Sequence, residues 1–98
     1  MKVYLDDERS TPKGWIGVQW PDQAIKLLQT GEVTHISLDH DLGDDRRGTG
    51  YDVLLWLEEA VFDRRIELPV VTIHTANPSA RQRMMLALHA IQKRARKG

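Results

Sequence analysis

The chain has 98 residues, is 41% hydrophobic and 29% charged, and contains no cysteine. That bounds it to one domain, residues 1–98, with a single modest core, and excludes disulfide staples and thiolate zinc sites. Fourteen Lys+Arg balance fourteen Asp+Glu, but unevenly: residues 79–98 hold Arg81, Arg83, Lys93, Arg94, Arg96 and Lys97 and no acid, so that segment carries +6 and the remainder −6.

No apolar run reaches the length of a membrane span, the N-terminus lacks a secretory pattern and thiols are absent, so a cytoplasmic protein without membrane contact is expected. The first strand is expected over Lys2–Leu5, running into Asp6-Asp7-Glu8. Pro12, Gly14 and Gly17 break any period over residues 8–20, which read as a loop. Trp15 in that loop either covers the core or walls a pocket beside the acids. Pro21 suits a first helical position, and Ala24, Ile25, Leu27 and Leu28 form one apolar stripe ending before Gly31.

A second strand is expected from about Thr34 to Asp39, followed by Asp39-His40-Asp41 and a charged loop, Gly43–Gly48, placed to act as a lid. Thr49 and Asp52 have capping-box spacing for a helix whose apolar positions are Val53, Leu54, Leu57, Ala60 and Val61. A third, β-branched strand covers Val70–Ile73 and exits through His74-Thr75. Asn77 and Pro78 then read as N-cap and first position of a long helix striped by Met84, Leu88, Ile91 and Ala95. His35 and His89 are expected to be structural or surface residues.

Strands that feed helices favour parallel pairing with right-handed crossovers. In such sheets ligands bind beyond the carboxyl ends of the strands, and here each strand ends in ionisable or polar residues: Asp6-Asp7, Asp39-His40-Asp41 and His74-Thr75. Carboxylates gathered in a small volume repel one another unless a cation lies between them. Oxygen donors suit a hard divalent ion, magnesium or manganese, with Asp6, Asp7, Asp39 and Asp41 as candidate ligands. His40 and His74 are candidate proton carriers or ligands. The third helix would bring its N-terminus and Arg81 to the same edge as a phosphate seat. Neither a P-loop nor a dinucleotide fingerprint occurs.

Val3-Tyr4-Leu5-Asp6-Asp7-Glu8, Leu38-Asp39-His40-Asp41-Leu42 with Gly50-Tyr51-Asp52-Val53, and Val70-Val71-Thr72-Ile73-His74-Thr75-Ala76 resemble the acidic pair, acceptor strand and Thr-Ala strand of response-regulator receiver domains. The resemblance implies an ion held by Asp6, Asp7 and Asp39 with the Asp41 backbone, and a phosphoryl contact from Thr75. The further strand that carries a lysine in receivers is missing, and Arg9, His40, Asp41, His74 and Asn77 are additional. With Arg9, Pro12 and Trp15, His40-Asp41-Leu42-Gly43 and His74-Thr75-Ala76-Asn77-Pro78, the chain is similar over nearly its whole length to the cyclic-phosphate processing receiver domain family.

The expected fold is therefore α/β, a compact, truncated receiver-like (flavodoxin-like) three-layer arrangement of about three parallel strands and three helices. The expected function is a divalent-metal-dependent phosphoesterase processing cyclic phosphate ends of nucleic acid or nucleotides. Its partner is a phosphate-containing small molecule or an RNA end. Asp39, His40, His74 and Thr75 would act in catalysis, and Arg9, Asn77 and Arg81 on the phosphate. Two alternatives stand: a degenerate phospho-acceptor domain using Asp39, and a non-catalytic module contacting nucleic acid through the basic last helix. The sequence assigns no oligomeric state.

Overall fold

The computed structural model describes residues 1–97, Lys97 by its backbone alone. Its elements in order are β1 (Lys2–Leu5), β2 (Ile16–Val18), α1 (Pro21–Leu28), β3 (His35–Leu38), α2 (Gly50–Phe62), β4 (Val70–Ile73) and α3 (Pro78–Lys97). The strands form one parallel sheet in the order β2-β1-β3-β4. Among the described residues no helix is long and apolar enough to cross a membrane.

Local chemistry accounts for the element boundaries. Gln23 Oε1 accepts the backbone N–H groups of Gln19 and Trp20 at the start of α1. Thr49 and Asp52 close a reciprocal capping box on α2: Thr49 Oγ1 accepts from Tyr51 N–H (3.2 Å) and Asp52 Oδ2 accepts from Thr49 N–H (2.8 Å). Asn77 Oδ1 accepts from Ala80 N–H (3.1 Å), and Pro78 follows where a missing N–H costs nothing.

The compact α/β receiver-like architecture is as expected, with two differences. Residues 8–20 are not wholly loop, because Ile16–Val18 adds a fourth strand at the sheet edge. It escapes the sequence pattern because it is three residues long and contains Gly17. A Cβ at Gly17 would overlap the Thr11 side chain folded over it.

The second difference concerns the layers. The links β2–α1–β3 and β3–α2–β4 step across the sheet in the same direction, so right-handed crossovers put both helices on one face. Among the described residues no strand follows α3, which packs on α2 over the same core. The rungs Val3/Ile36/Val71 and Leu5/Leu38/Ile73 point into that core with Leu28, Leu54, Leu57, Met84, Leu88 and Ile91. The opposite rungs, Lys2/His35/Val70 and Tyr4/Ser37/Thr72, receive no helix among the described residues, and Val70 is 57% exposed. The third layer is only the return segment between β1 and β2. Its Trp15 stands edge-on to Tyr4 and to His35 (centroids 6.2 and 6.4 Å).

Gly50 sets how closely α2 approaches β3. Its N–H donates to the His40 carbonyl (3.1 Å), and a Cβ there would overlap the Asp39 carbonyl oxygen. Alanine is favoured over glycine in a helix by at most about 1 kcal/mol, whereas forcing extra volume against fixed backbone costs about 1–3 kcal/mol. Gly50→Ala is therefore expected to lower the urea unfolding free energy by roughly 1–2 kcal/mol net. Equal or greater stability would mean that this contact does not hold the helix in place.

Candidate active site

The parallel sheet carries the three polar strand exits to one edge. There Asp6, Asp7, Glu8, Arg9, Asp39, Asp41, Gly43, Thr75, Ala76 and Asn77 line an open cleft of about 380 Å³. Asp6 is its most enclosed charge, with 1% of its side chain exposed. Oδ1 accepts the N–H groups of Glu8 and Arg9 (both 2.8 Å), so the chain turns sharply around the carboxylate as it leaves β1. Oδ2 accepts from Arg9 Nη1 (3.0 Å) and from His74 Nε2 (2.9 Å). Burial by itself raises the Asp6 pKa. The backbone N–H groups of Arg9 and Glu8 and the side chains of Arg9 and His74 outweigh it and hold the carboxyl below its ordinary 3.8. Asp6 in turn raises the Arg9 pKa.

His74 is fixed on both sides. Ser37 Oγ lies 2.6 Å from Nδ1, and the ring stacks on Tyr4 with centroids 4.4 Å apart and planes within 2°. Arg9 Nη1 also stands 3.7 Å from Asp39 Oδ2, and Asp39 itself is buried, its Oδ1 accepting from His40 N–H (2.7 Å). On the other flank His40 Nδ1 donates to Asp41 Oδ1 (2.9 Å), which holds the Asp41 carboxyl below its usual range despite the opposing effect of burial. Asn77 Nδ2 reaches Asp41 Oδ2 at 3.4 Å. Each imidazole thus backs a carboxylate: His74 behind Asp6, His40 behind Asp41. Neither ring is itself on the cleft wall.

Several expected site residues meet here. Asp6, Asp7, Asp39, Asp41, Arg9, Thr75 and Asn77 all line the cleft. Thr75 Oγ1 accepts from Asn77 N–H (3.2 Å), tying the β4 exit to the start of α3. The backbone N–H groups of Thr75 and Ala76 have no hydrogen-bond partner among the described residues. Arg81 is placed differently from the expected phosphate clamp: Nη1 donates to the Ile73 carbonyl (2.7 Å), and the residue is not on the cleft wall. The α3 N-terminus is also less open than expected, since Asn77 already accepts from Ala80 N–H and Pro78 has none. Trp15 covers the sheet face rather than the cleft. The Gly43–Gly48 loop touches the cleft only at Gly43. Arg47 anchors its far end over the Trp20 ring (4.5 Å) and near Asp22 (3.5 Å).

Sequence reasoning missed Ser37. A polar residue in the middle of the apolar run Ile36-Ser37-Leu38 was the available signal. Of the candidate ligands, carboxylates and histidines together, one donor atom each from Asp6, Asp39 and His74 lie within 4.8 Å of one another.

A parallel α/β sheet with acidic residues at the β1 and β3 ends and Thr-Ala after β4 defines a receiver-like domain. Residues 1–90 match the family model described as the cyclic-phosphate processing receiver domain, and the chain belongs to that family. No curated protein and no solved structure matches it.

Because Asp6 is charged more readily in the folded chain than in the unfolded one, its contribution to stability is present above the ordinary carboxylate pKa. It is lost as pH falls through the depressed folded value. Urea midpoints measured downward through the acid range should fall, and Asp6→Asn should fall less steeply. An identical slope in the variant would contradict this assignment.

Proposed function

We propose that the cleft hydrolyses a cyclic phosphodiester at a nucleotide or nucleic-acid end, with a divalent ion as cofactor. The observation that carries this reading is the convergence of Asp6, Asp39 and His74 beside Arg9, with Thr75 and Asn77 on the same wall. Membership of a family described by cyclic-phosphate processing supports the substrate class.

The donor set fits a metal. With an ion bound, His74 Nε2 would exchange its hydrogen bond to Asp6 for the metal and carry the ring proton on Nδ1 instead, where Ser37 Oγ at 2.6 Å is placed to accept it. Asp6, Asp39 and His74 would hold the ion, with Asp7 and Asp41 on the same wall. One nitrogen among oxygens suits manganese better than magnesium. The ion would supply Lewis-acid polarisation of a phosphoryl oxygen.

The chain's own residues do the rest. Arg9, 46% exposed at its side chain, offers donors to the phosphate, and the free N–H groups of Thr75 and Ala76 offer two more. Asp41 lies on the cleft wall, with His40 Nδ1 donating to its Oδ1 from behind. Its carboxylate takes a proton from the attacking water as the water oxygen bonds to phosphorus. The bond from phosphorus to one ribose oxygen then breaks, and the Asp41 carboxyl returns its proton to that oxygen. The products are a phosphomonoester and a free hydroxyl. Asp41 acts as base and acid in this scheme, His40 positions it, and His74 serves as ligand.

A second reading, phosphorylation of Asp39, is favoured by Arg9 at 3.7 Å and by Thr75 on the same wall. Among the described residues no lysine lines the cleft to take the place of the one in receivers.

An RNA oligonucleotide ending in a 2′,3′-cyclic phosphate, incubated with magnesium, manganese or zinc, separates these readings. Ring opening is expected with manganese. Loss of the proton carrier in Asp41→Asn should slow it by about 10²–10⁴-fold, the usual worth of general acid–base catalysis. Asp39→Asn should abolish it. Acid-labile phosphate accumulating on the protein without turnover would favour the second reading, and no reaction with any of the three metals would overturn the first.

A further inference from the structure

Away from the cleft, the outer surface of the helix layer is unusual in both hydrophobicity and charge. Leu55 and Phe62 on α2 are 49% and 65% exposed, and Leu86 on α3 is 65% exposed. Leu55 and Phe62 stand seven residues apart, two helical turns, and so share one face. Beside Phe62 an apolar cleft of about 630 Å³ is lined by Val61, Ile66 and Ala95 together with Arg64, Glu67 and Arg94. The Arg94 guanidinium lies 4.8 Å from the Phe62 ring centre.

Charge on this layer is sorted by helix. Within α2 the ionisable residues besides Tyr51 are Asp52, Glu58 and Glu59, with no base. Within α3 they are all Lys or Arg apart from His89, with no acid. Glu58, Glu59, Arg83, Lys93, Arg94 and Arg96 are exposed, and none of them forms an ion pair among the described residues. A patch with acids on one helix, bases on its neighbour and apolar side chains between them is complementary to itself under a two-fold rotation. Such self-complementarity is the requirement of an isologous dimer. At 1.5 Å per residue the helices are about 20 and 30 Å long, so their joint outer face is on the order of the roughly 800 Å² per partner of a standard interface.

We propose that the partner for this face is a second copy of the chain, with α2 of each copy laid on α3 of the other. Leu55, Phe62 and Leu86 form the apolar centre, and Glu58 and Glu59 face the bases of α3. The cleft at the carboxyl edge of the sheet takes no part, so the pairing stands apart from the proposed reaction.

Sedimentation velocity of the full chain, from low micromolar to several hundred micromolar, tests this directly. The expected result is a shift toward twice the monomer mass with rising concentration, weakened by added salt. Leu86→Asp, a change at a solvent-exposed position, should leave the circular dichroism spectrum unchanged and hold the chain monomeric. The charge-reversed pair Glu58→Lys/Glu59→Lys should be monomeric alone, as should Lys93→Glu/Arg96→Glu. Mixing the two variants should restore a dimer, because each then offers the charge the other needs. Wild-type chain that stays monomeric throughout overturns the proposal. So does a dimer that survives Leu86→Asp, and failure of the mixture to associate overturns the pairing of α2 with α3.

Discussion

The site depends on keeping the Asp6 carboxylate charged while almost none of it meets water. An unpaired buried carboxylate costs several kcal/mol, and Asp6 avoids that cost through four donors from two distant stretches of chain. Two are backbone N–H groups, which force the turn after β1. The third, the Arg9 guanidinium, is delivered by that turn. The fourth, His74, comes from the exit of β4 and is held in place by Ser37 of β3. One carboxylate therefore ties the ends of three strands together, and it places a cation within 3.7 Å of Asp39 as a consequence.

The asymmetry of the fold makes this possible. Two crossovers of one direction and one hand fill a single face of the sheet with helices, leaving the other to aromatic and polar side chains. Residues at alternate positions of β1, β3 and β4 share that open face, so Tyr4, Ser37 and His74 meet on it. The ring of His74 lies flat against Tyr4. A helix packed there would claim the same space. On the covered face, Gly50 lets α2 press against the backbone of Asp39 and His40.

Much of this was legible in the residues. The α/β class, the bounds of β4, the caps of α2 and α3, and the meeting of the Asp6, Asp39 and His74 stretches all follow from strand exits and cap chemistry that are local in sequence. What was not legible depends on direction in space. Whether Arg81 turns to the cleft or back to the Ile73 carbonyl is a rotamer choice that spacing does not encode. The face on which Trp15 lies, and hence the reduction from three layers to two and a loop, follows from strand order rather than from any window of sequence. Strand β2 is too short and too glycine-rich to show a period. Lys97, counted with the basic end of the chain, has a side chain outside the described residues.

The central claim is that three strand exits form one phosphate-receiving cleft. The most direct measurement is a titration of ¹⁵N-labelled protein with a nucleoside 2′,3′-cyclic phosphate, followed by amide chemical shifts. The account predicts that the shifts concentrate in Asp6–Arg9, Asp39–Gly43 and Thr75–Asn77. Shifts confined to the basic half of α3, with those three stretches unmoved, would contradict it.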